Sequence, residues 1–451
     1  MQRRNFFKLV GAASAVAMLP KFSYGATPPN IVVVGGGPGG AAAAKYLKIW
    51  GGSSVNVILI TPTNSYIAGM QSNLVVTGAL NPATITRNYN SLRTRGVKTR
   101  YAKVTGITIG SSGGTVTFTD SNLPNPNPDN LPNGHIDYDY LVLAPGVKFS
   151  HYKGDDNFEL SYWQRDQTTA QAEFLDLKKK IATMPSGSTF AMYVPDGTYK
   201  GSQGPFGRAC VVADQRPDCI VKVYDGKASL PPLFEGPFAS LGIKYYKNTI
   251  LDSVVKKANP TGLFNQSGTI NINAGTSVDY HVANLIPKQK ANLDFAPPNL
   301  LAANGFAPVD SQTFHSSVLQ PGYDRVYVIG DASVVPLPTL PASNLPKSGN
   351  LAADQAKICA SAITRRIAGL ATYPLETSLA VSAVQFNAIR STNAHTAVYA
   401  HSGFQFNGTG WVASGAFPDA RVSASGALPA SSENYSQGLT WVKSLLDDCF
   451  I

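Results

Sequence analysis

A short stretch near the N-terminus constrains the fold more than any other part of the chain. Asn30 to Val34 is an almost continuous run of β-branched residues, typical of a strand buried on both faces. The spacing G-x-G-x-x-G follows at Gly35, Gly37 and Gly40, and Pro38 to Leu47 then has helical spacing. The first glycine permits a tight turn, the second lets backbone approach a pyrophosphate, and the third lets helix pack on strand. The stretch therefore predicts a βαβ unit with a dinucleotide at the helix N-terminus.

The acidic residue that normally binds the ribose in such a unit is missing. The second apolar strand, Val55 to Ile60, is followed by Thr61 where an Asp or Glu is usual. A hydroxyl forms a weaker, neutral hydrogen bond than a carboxylate. We therefore expect Thr61 to be a weak contact of the dinucleotide.

Length and composition indicate a soluble globular protein with more than one domain. The 451 residues exceed what one hydrophobic core usually serves, so two or three domains are expected. A hydrophobic content of 43% is ordinary for this class.

Residues 1–26 are predicted to be an export signal. They contain twin arginines at Arg3 and Arg4, a short apolar run and a small-residue end at Ala26, typical of the twin-arginine route. A membrane anchor is the alternative, but Gly11 to Pro20 is about half the roughly 20 residues that a spanning helix needs. The expected location is periplasmic, and this route carries folded proteins, which suits a cofactor bound before export.

The charge of the chain excludes a nucleic-acid-binding function. The net charge is +10, and removal of the signal with Arg3, Arg4, Lys8 and Lys21 and no acidic residue leaves +6. No dense stripe of Lys and Arg with interleaved aromatic residues is present. A solvated basic surface is one interpretation, and a mild preference for an acidic protein partner is the other.

The cysteines and histidines predict neither haem attachment nor a metal site. The four cysteines, Cys210, Cys219, Cys359 and Cys449, include no C-x-x-C or C-x-x-C-H pattern, so this chain carries no covalent haem. Cys210 and Cys219 either pair or remain free thiols. The six histidines show no ligand spacing.

A second βαβ domain is predicted to begin near residue 152. An amphipathic helix precedes the strand "STFAMYVP", and Asp225 ends the next strand, where a ribose-binding acid could lie. The glycines at 197, 201, 204 and 207 do not keep the G-x-G-x-x-G spacing. The sequence therefore gives only weak support for a nicotinamide site in this domain.

Two further strand ends favour a flavin in the first domain. "YDYLVLAPG" at Tyr138–Gly146 and "VYVIGDAS" at Val326–Ser333 resemble the strand ends that two-dinucleotide flavoproteins of the disulfide-reductase type place against FAD. This resemblance implies that Asp331 accepts a hydrogen bond from the ribityl chain, unless it merely caps the next turn. The further FAD contacts that it implies are Ala144, Pro145, Gly146 and Gly330.

The resemblance extends over essentially the whole mature chain. The segments "YDYLVLAPGVKF", "GPFGRA", "NLIPKQKAN", "GFAPVDSQTF", "YVIGDAS", "PKSGN" and "YSQGLTWVKSLLDD" resemble, in order, the flavoprotein subunit of flavocytochrome c sulfide dehydrogenase. That family implies a periplasmic FAD subunit that takes two electrons from sulfide and passes them singly to a separate c-type cytochrome. It also implies an α/β flavoprotein with two dinucleotide-binding domains and a C-terminal α+β segment. The expected boundaries are 27–151 and 288–370 for the FAD domain, 152–287 for the inserted domain and 371–451 for the C-terminal domain.

The chain departs from this family at the cysteines that carry the sulfide chemistry. The family links its flavin through a Cys in Y-x-x-C-x-x-S-N, and this chain reads "YIAGMQSN", with Gly69 at that position. The redox cystine of the family corresponds to Gly201, in "YKGSQGPFGRA", and to Ser333. We therefore expect FAD to be bound noncovalently. The chain also lacks the thiols that thiolate attack on sulfide requires.

Other residues are expected to shape the flavin site. The segment "PKSGN" begins a long helix, and Lys347 with the helix N-terminus is predicted to stabilise negative charge at N1 and O2 of the reduced flavin, unless Lys347 is simply solvated. Loss of both cysteines predicts a wider pocket that admits an organic ligand, lined by Tyr199, Phe206 and Trp163, unless the site binds nothing. Gly201, Ser333 and Lys347 are thus the candidate catalytic positions.

The sequence therefore predicts an exported FAD-dependent oxidoreductase that oxidises a small reductant other than sulfide. A c-type cytochrome is the expected acceptor, because the chain carries no haem and its nicotinamide loop is degenerate. One alternative is sulfide oxidation directly at the flavin or through Cys210. A non-catalytic binding protein that keeps the fold is the other alternative.

Overall fold

The computed structural model describes most of the chain after the proposed export signal. The twin arginines and the rest of residues 1–26 lie outside the described residues. The structure describes residues 27–257, 267–337, 344–370, 379–408, 410–414 and 425–451.

The first part of the chain alternates strands and helices around the predicted glycine turn. Its elements are β1 (Asn30–Val34), α1 (Pro38–Gly51), β2 (Asn56–Thr61), β3 (Ser65–Ile67), α2 (Ser72–Val76), β4 (Thr86–Asn88), α3 (Asn90–Thr94), β5 (Lys98–Gly110), β6 (Gly113–Asp120), β7 (His135–Tyr138), β8 (Tyr140–Leu143) and β9 (Val147–Ser150).

The middle part contains the inserted sheet and a small antiparallel sheet. Its elements are α4 (Ala170–Thr183), β10 (Thr189–Val194), α5 (Gly204–Gln215), β11 (Ile220–Asp225), α6 (Glu235–Ser240), β12 (Lys244–Tyr246), β13 (Leu251–Lys256), β14 (Gly268–Ile272), β15 (Thr276–Tyr280) and β16 (Val282–Leu285). Strands β12, β11, β10 and β16 form one parallel sheet in that order, and β13, β14 and β15 form the antiparallel sheet.

The last part returns to the first sheet and then builds a separate one. Its elements are β17 (Lys288–Ala291), β18 (Ala307–Pro308), β19 (Val326–Val328), β20 (Ser333–Val334), α7 (Gly349–Ile367), β21 (Ala380–Arg390), β22 (Thr396–Phe406), β23 (Trp411–Ser414), β24 (Ser425–Ser431) and α8 (Ser432–Phe450). Strand β22 pairs antiparallel with β21, β23 and β24, and α8 packs on this sheet.

The first sheet brings the predicted cofactor motifs to one edge. Its order is β19-β8-β1-β2-β5-β6-β7, and β1 is parallel to both β2 and β8. Val34 is in register with Ile60 and Leu143, and β19 joins β8 in parallel on the other side. The turns after β1, β2, β8 and β19 therefore lie together at the carboxyl ends of the strands, where open α/β sheets bind ligands.

Small residues let two helices pack closely over this edge. Ala41 to Ala44 in α1 are fully buried, and α1 packs along α7, where Ala352, Ala353 and Ala356 are also buried. A Cβ atom on Gly39 would lie 3.4 Å from the Cβ of Ala352. The alanine-rich sequence after the glycine turn is thus explained by close helix packing as well as by helix propensity.

These sheets confirm the predicted mixed α/β fold with a Rossmann-like parallel sheet around the glycine turn. The boundaries of the domains stay a prediction. None of the described helices is both long and apolar enough to cross a membrane.

Candidate functional site

One cleft at the carboxyl edge of the first sheet contains most of the predicted site residues. The predicted residues that line it are Gly35, Gly37, Pro38, Thr61, Gly69, Ala144, Pro145, Gly146, Trp163, Gly201, Gly330, Asp331 and Lys347. Gly40 and Ser333 do not line it. Residues from all three parts of the chain form its walls, because α7, β21 and α8 contribute side chains and α5 contributes its first residue, Gly204.

The three glycines of the turn are needed for different structural reasons. Gly35 has a φ of +106°, and a Cβ atom there would lie 2.2 Å from the carbonyl oxygen of Ala144. A Cβ atom on Gly40 would lie 1.8 Å from the oxygen of Gly35. Gly37 is different, because its Cβ would meet only Tyr66, at 3.7 Å. Gly35 and Gly40 are therefore required by the fold, whereas Gly37 keeps the cleft open to a ligand.

Thr61 lies in the cleft next to a tyrosine that the sequence did not indicate. Thr61 is 1% exposed, and the hydroxyl of Tyr89 donates a hydrogen bond to the oxygen of Gly36 at 2.9 Å. A Cβ atom on Gly36 would lie 2.2 Å from that hydroxyl and 2.5 Å from the Oγ1 of Thr61. Tyr89 and Thr61 together therefore hold the glycine turn in place.

The carboxylate of Asp331 faces the cleft without a hydrogen-bond donor among the described residues. The backbone of the preceding residue, Gly330, has a φ of +68° and donates to Gln355 Oε1 at 2.6 Å. Burial raises the pKa of Asp331, and the charges of Lys347 and Lys200 oppose that shift. The alternative that Asp331 caps the next turn is wrong, because no described N–H group of that turn donates to its carboxylate. An acceptor in this position fits a hydroxyl-bearing ligand.

Lys347 is buried, so the alternative of a solvated lysine is wrong. Its side chain is 9% exposed, and Nζ donates to the oxygens of Asp331 at 2.7 Å and Ser333 at 3.0 Å. Nζ also lies 4.0 Å from the centroid of the Phe306 ring. Burial lowers the pKa of Lys347 to about 8. Two of its three N–H donors are used by the protein, which leaves one for a ligand.

The helix that follows Lys347 begins with an N-cap. The side chain of Ser348 accepts a hydrogen bond from the N–H of Leu351, and α7 has no acidic residue in its first turn. The positive end of this helix therefore faces the cleft together with Lys347.

The three positions that replace the cysteines of the family lie in different surroundings. Gly69 lines the cleft, but a Cβ atom there would lie 2.4 Å from Gln164 Oε1, so Gln164 occupies the space of a side chain. Gly201 lines the cleft with a φ of +72°. Ser333 is 4% exposed, and its hydroxyl donates to the oxygen of Gly330 at 2.9 Å.

The four cysteines are all free thiols, which decides between the two alternatives for Cys210 and Cys219. Cys210 is fully buried in α5 and does not line the cleft. Burial raises its pKa, which disfavours the thiolate that would attack a substrate. The alternative of sulfide oxidation through Cys210 is therefore wrong.

Of the three aromatic residues predicted to line the pocket, only Trp163 does so. Phe206 is 1% exposed and packs against Phe234 and Phe238, and Tyr199 is 3% exposed with its hydroxyl bonded to the oxygen of Ser202. Both predictions were wrong because these side chains belong to the core of the inserted sheet. The aromatic residues that line the cleft besides Trp163 are Tyr66, Phe295, Phe386, Tyr435 and Trp441.

Trp163 also occupies space that the glycines leave free. Cβ atoms on Gly201 and Gly204 would lie 3.5 Å and 2.8 Å from its indole ring. Its Nε1 donates to the oxygen of Lys200 at 2.9 Å. The replacement of a cysteine by Gly201 therefore does not simply widen the cleft, because Trp163 packs against that glycine.

The inserted domain does not present its acidic residue to a ribose. Asp225 is fully buried, and its carboxylate accepts hydrogen bonds from the N–H of Lys227 at 2.9 Å and from the hydroxyl of Tyr245 at 3.0 Å. A Cβ atom on Gly226 would lie 2.5 Å from the backbone nitrogen of Asp196. Asp225, which was the predicted partner of a nicotinamide ribose, therefore has a structural role.

The residues of the cleft fit FAD. The glycine turn gives a pyrophosphate access to the start of α1, whose first turn has no acidic residue and no side-chain cap. The free carboxylate of Asp331 and the buried cation of Lys347 lie further along the same cleft. Among the described residues, no group of three or more His, Cys, Asp or Glu could hold a metal ion.

Known families match this chain over most of its first two thirds. A profile of the pyridine nucleotide-disulphide oxidoreductases matches residues 29–184. The profile of the central part of the sulfide dehydrogenase (flavocytochrome c) flavoprotein chain matches residues 175–287.

Solved structures are similar to the chain over nearly its full length. Sulfide:quinone oxidoreductase from Aquifex aeolicus is 16% identical with a TM-score of 0.67, and the match covers 93% of this chain and 91% of that one. Water-forming NADH oxidase from Lactobacillus brevis is 15% identical with a TM-score of 0.57, covering 93% and 92%. NAD-dependent persulfide reductase from A. fulgidus is 14% identical with a TM-score of 0.56, covering 93% and 76%. At these identities the structures show a common fold.

The family profiles, the fold and the cofactor cleft agree, and they favour an enzyme over a non-catalytic binding protein. The chain is a FAD-dependent oxidoreductase, and it is similar to the pyridine nucleotide-disulphide oxidoreductases and to the flavoprotein chain of flavocytochrome c sulfide dehydrogenase.

Proposed function

We propose that this oxidoreductase takes two electrons from a small organic reductant at a noncovalently bound FAD and passes them singly to a separate c-type cytochrome. The observation that carries the proposal is the absence of sulfur at Gly69, Gly201 and Ser333, although the cleft beside them is complete. When bound, FAD accepts an electron pair from an organic molecule and releases single electrons to a haem.

Noncovalent binding is supported by the surroundings of Gly69. The space that a side chain would need there contains the amide of Gln164, whose Nε2 donates to the oxygen of Ile67 at 2.6 Å. The flavin-linking position of the family is thus filled by a polar contact within the protein. Precipitation with acid should release all flavin into the supernatant. Yellow colour that stays with the polypeptide in denaturing electrophoresis would mean that another residue forms the link.

A c-type cytochrome is proposed as the electron acceptor for two reasons, the similarity to a known family and the structure of the second domain. The related flavoprotein chain belongs to a flavocytochrome c, and Asp225 is bonded within the protein instead of facing a nicotinamide ribose. Export of residues 27–451 by the twin-arginine route would place the enzyme with periplasmic cytochromes.

A direct assay tests the electron path. The purified protein is mixed with a panel of small organic reductants and oxidised cytochrome c, and the haem absorbance is followed. We expect at least one compound to reduce cytochrome c in a reaction that depends on the protein, with two haems reduced for each molecule oxidised. Electron transfer to NAD⁺ without transfer to any cytochrome would contradict the proposed acceptor.

Sulfide oxidation directly at the flavin is the second candidate. The similarity to sulfide dehydrogenase and to sulfide:quinone oxidoreductase favours it. It needs a bare hydrosulfide ion as the nucleophile, because the thiols of the protein lie outside the cleft.

A further inference from the structure

Three aromatic side chains from the C-terminal part of the chain line the cofactor cleft. They are Phe386 in β21 and Tyr435 and Trp441 in α8, here called the aromatic wall. Each ring is only partly buried by the protein, so part of its surface faces the cleft. Contact between apolar surface and water is unfavourable, and a bound molecule that covers the rings removes that contact.

Close packing between α8 and β21 fixes the aromatic wall in place. A Cβ atom on Gly438 would lie 2.7 Å from the Cβ of Phe386, so the glycine lets the helix approach the strand. The rings of Phe386 and Trp441 contact each other, with their centroids 5.8 Å apart. The ring of Tyr435 packs edge-on against His395 at 5.1 Å. The aromatic wall is therefore formed before a ligand binds, as small-molecule sites usually are.

Hydrogen bonds place β21 beside the turn that precedes α5. Gln385 Nε2 donates to Ser202 Oγ at 3.3 Å, and Asn387 Nδ2 donates to Gln203 Oε1 at 3.4 Å. The same turn contains Gly201, one of the two positions that correspond to the redox cystine. The aromatic wall therefore lies beside the place where the proposed reductant would react.

The described residues that the C-terminal sheet and α8 contribute to the cleft are all uncharged. They are Val384, Gln385, Phe386, Asn387, Ala388, Ala397, Tyr435, Gly438, Trp441 and Val442. The side-chain amides of Gln385 and Asn387 use an N–H group for the bonds to the turn, and their carbonyl oxygens accept none from a described residue. Such an oxygen can accept a hydrogen bond from a hydroxyl group of a ligand.

The two buried lysines of the cleft already have carboxylates near them. Burial lowers the pKa of Lys200, and three carboxylates oppose that shift, those of Asp331, Glu173 and Asp166. Burial also lowers the pKa of Lys347 to about 8, and Asp331 opposes it. A ligand therefore needs no net charge to compensate these lysines.

We infer that the aromatic wall binds the ring of a neutral aromatic alcohol, which on the function proposed above is the reductant. The rings of Phe386 and Trp441 pack against the ring of the ligand, and an amide oxygen of Gln385 or Asn387 accepts a hydrogen bond from its hydroxyl. Oxidation of such an alcohol to its aldehyde breaks one C–H and one O–H bond. Two protons go to water, and two haems of the proposed cytochrome acceptor take up the two electrons.

Binding to the oxidised, FAD-loaded protein tests this inference without requiring turnover. Benzyl alcohol and cyclohexylmethanol, which differ in the aromatic ring, are titrated by isothermal calorimetry and by the change in flavin absorbance. We expect benzyl alcohol to bind at least about threefold more tightly, because aromatic pairs attract each other beyond the area that they bury. Benzoate should bind at least about tenfold more weakly than benzyl alcohol, because its charge would be placed against an uncharged surface.

Variants of Trp441 test which residues form the site. Trp441→Leu should weaken the binding of benzyl alcohol by about tenfold and abolish its preference over cyclohexylmethanol. Trp441→Phe keeps a ring and should retain the affinity for benzyl alcohol to within about threefold. Trp50→Leu is the matched control, because Trp50 is 47% exposed and lies in α1 outside the cleft. This control should leave both affinities unchanged.

Equal binding of the two alcohols by the wild-type protein, or unchanged binding of benzyl alcohol in Trp441→Leu, would overturn the inference. A lower flavin-to-protein ratio in Trp441→Leu than in Trp50→Leu would also overturn it, because the aromatic wall would then belong to the cofactor site. If benzyl alcohol binds through Trp441 but no compound transfers electrons to cytochrome c, the binding site stands and the proposed function is contradicted. The binding assay and the electron-transfer assay can thus fail separately.

Discussion

Lys347 combines a buried ammonium group with the start of a helix at the cleft. Its Nζ is held by the oxygens of Asp331 and Ser333, so its position does not depend on solvent. A fixed positive charge at this place stabilises negative charge that develops on a reduced cofactor. The sequence indicated this residue through "PKSGN", and the structure adds its burial.

Replacement of Lys347 by Met should lower the reduction potential of the bound flavin. We expect a shift of about 30 mV or more, equal to about 1.4 kcal/mol for two electrons. Because burial lowers the pKa of Lys347 to about 8, the difference between wild type and variant should be full below pH 8 and decrease above it. Potentials measured with reference dyes from pH 6 to pH 9 test this, with Lys347→Arg as the charge-preserving control. Equal potentials at pH 7 would contradict the role of Lys347.

Gly201 and Ser333 are the positions at which the redox cystine can be rebuilt. Both lie against Lys347, which accepts a hydrogen bond from Gly201 N–H and donates one to the oxygen of Ser333. Gly201 has a φ of +72°, so a cysteine there should cost about 1–2 kcal/mol of stability.

The double variant Gly201→Cys, Ser333→Cys should form a disulfide beside the flavin. We expect sulfide to reduce its flavin at least about tenfold faster than that of either single variant, because only the pair restores thiol chemistry. Thiol titration and peptide mass mapping detect the cross-link. Two thiols that stay free under oxidising conditions would show that these positions do not correspond to the cystine of the family.

The sequence identified the residues that belong to motifs and missed those that come from distant turns. Gly35, Asp331 and Lys347 were predicted because each lies next to a strand end or helix start with a known role. Lys200, which lines the cleft, lies inside the quoted segment "YKGSQGPFGRA", but only Gly201 was considered there. Gln164 and Tyr89 had no local signal, since tertiary packing alone brings them to the cleft.

The strand, turn and helix formed by β1 and α1 contain two kinds of glycine. Gly35 has a backbone conformation and a neighbour that exclude a side chain, whereas Gly37 has an ordinary φ of −75° and free space on the cleft side. Gly35 is therefore required by the fold, and Gly37 by the ligand.

Gly35→Ala should therefore lower the stability of the protein, whereas Gly37→Ala should weaken FAD binding. We expect Gly35→Ala to lose several kcal/mol of stability, because about 1–3 kcal/mol of backbone strain adds to a clash with Ala144. Gly37→Ala should keep the thermal midpoint of the apoprotein and weaken FAD binding by about tenfold or more. Circular dichroism and the flavin-to-protein ratio measure the two effects. Equal loss of stability in both variants would show that Gly37 also serves the fold.

The elements of the first sheet were predictable because their hydrophobic patterns are long and continuous. Strand β1 and helix α1 follow directly from β-branched and alanine-rich runs. The aromatic residues of the inserted domain were placed wrongly, because a sequence does not show whether Tyr199 and Phe206 face a core or a cavity. The packing of β21 and α8 against the cleft was also missed, since it depends on contacts between distant parts of the chain.

The three parts of the chain meet in a single cofactor cleft, and the absence of thiols from it decides the proposed chemistry. The walls come from the first sheet, from the turn before α5 and from the C-terminal sheet. Every cysteine lies elsewhere as a free thiol, and Trp163 packs where Gly201 leaves space. We therefore propose that this enzyme oxidises an organic molecule directly at the flavin.

The rate of anaerobic flavin bleaching distinguishes an organic reductant from sulfide. The oxidised protein is mixed with sulfide and, separately, with each member of a panel of small organic compounds that carry an oxidisable hydroxyl or amino group. We expect at least one organic compound to bleach the flavin faster than sulfide does at the same concentration. Sulfide as the fastest reductant of the whole set, or a flavin that no compound bleaches, would contradict it.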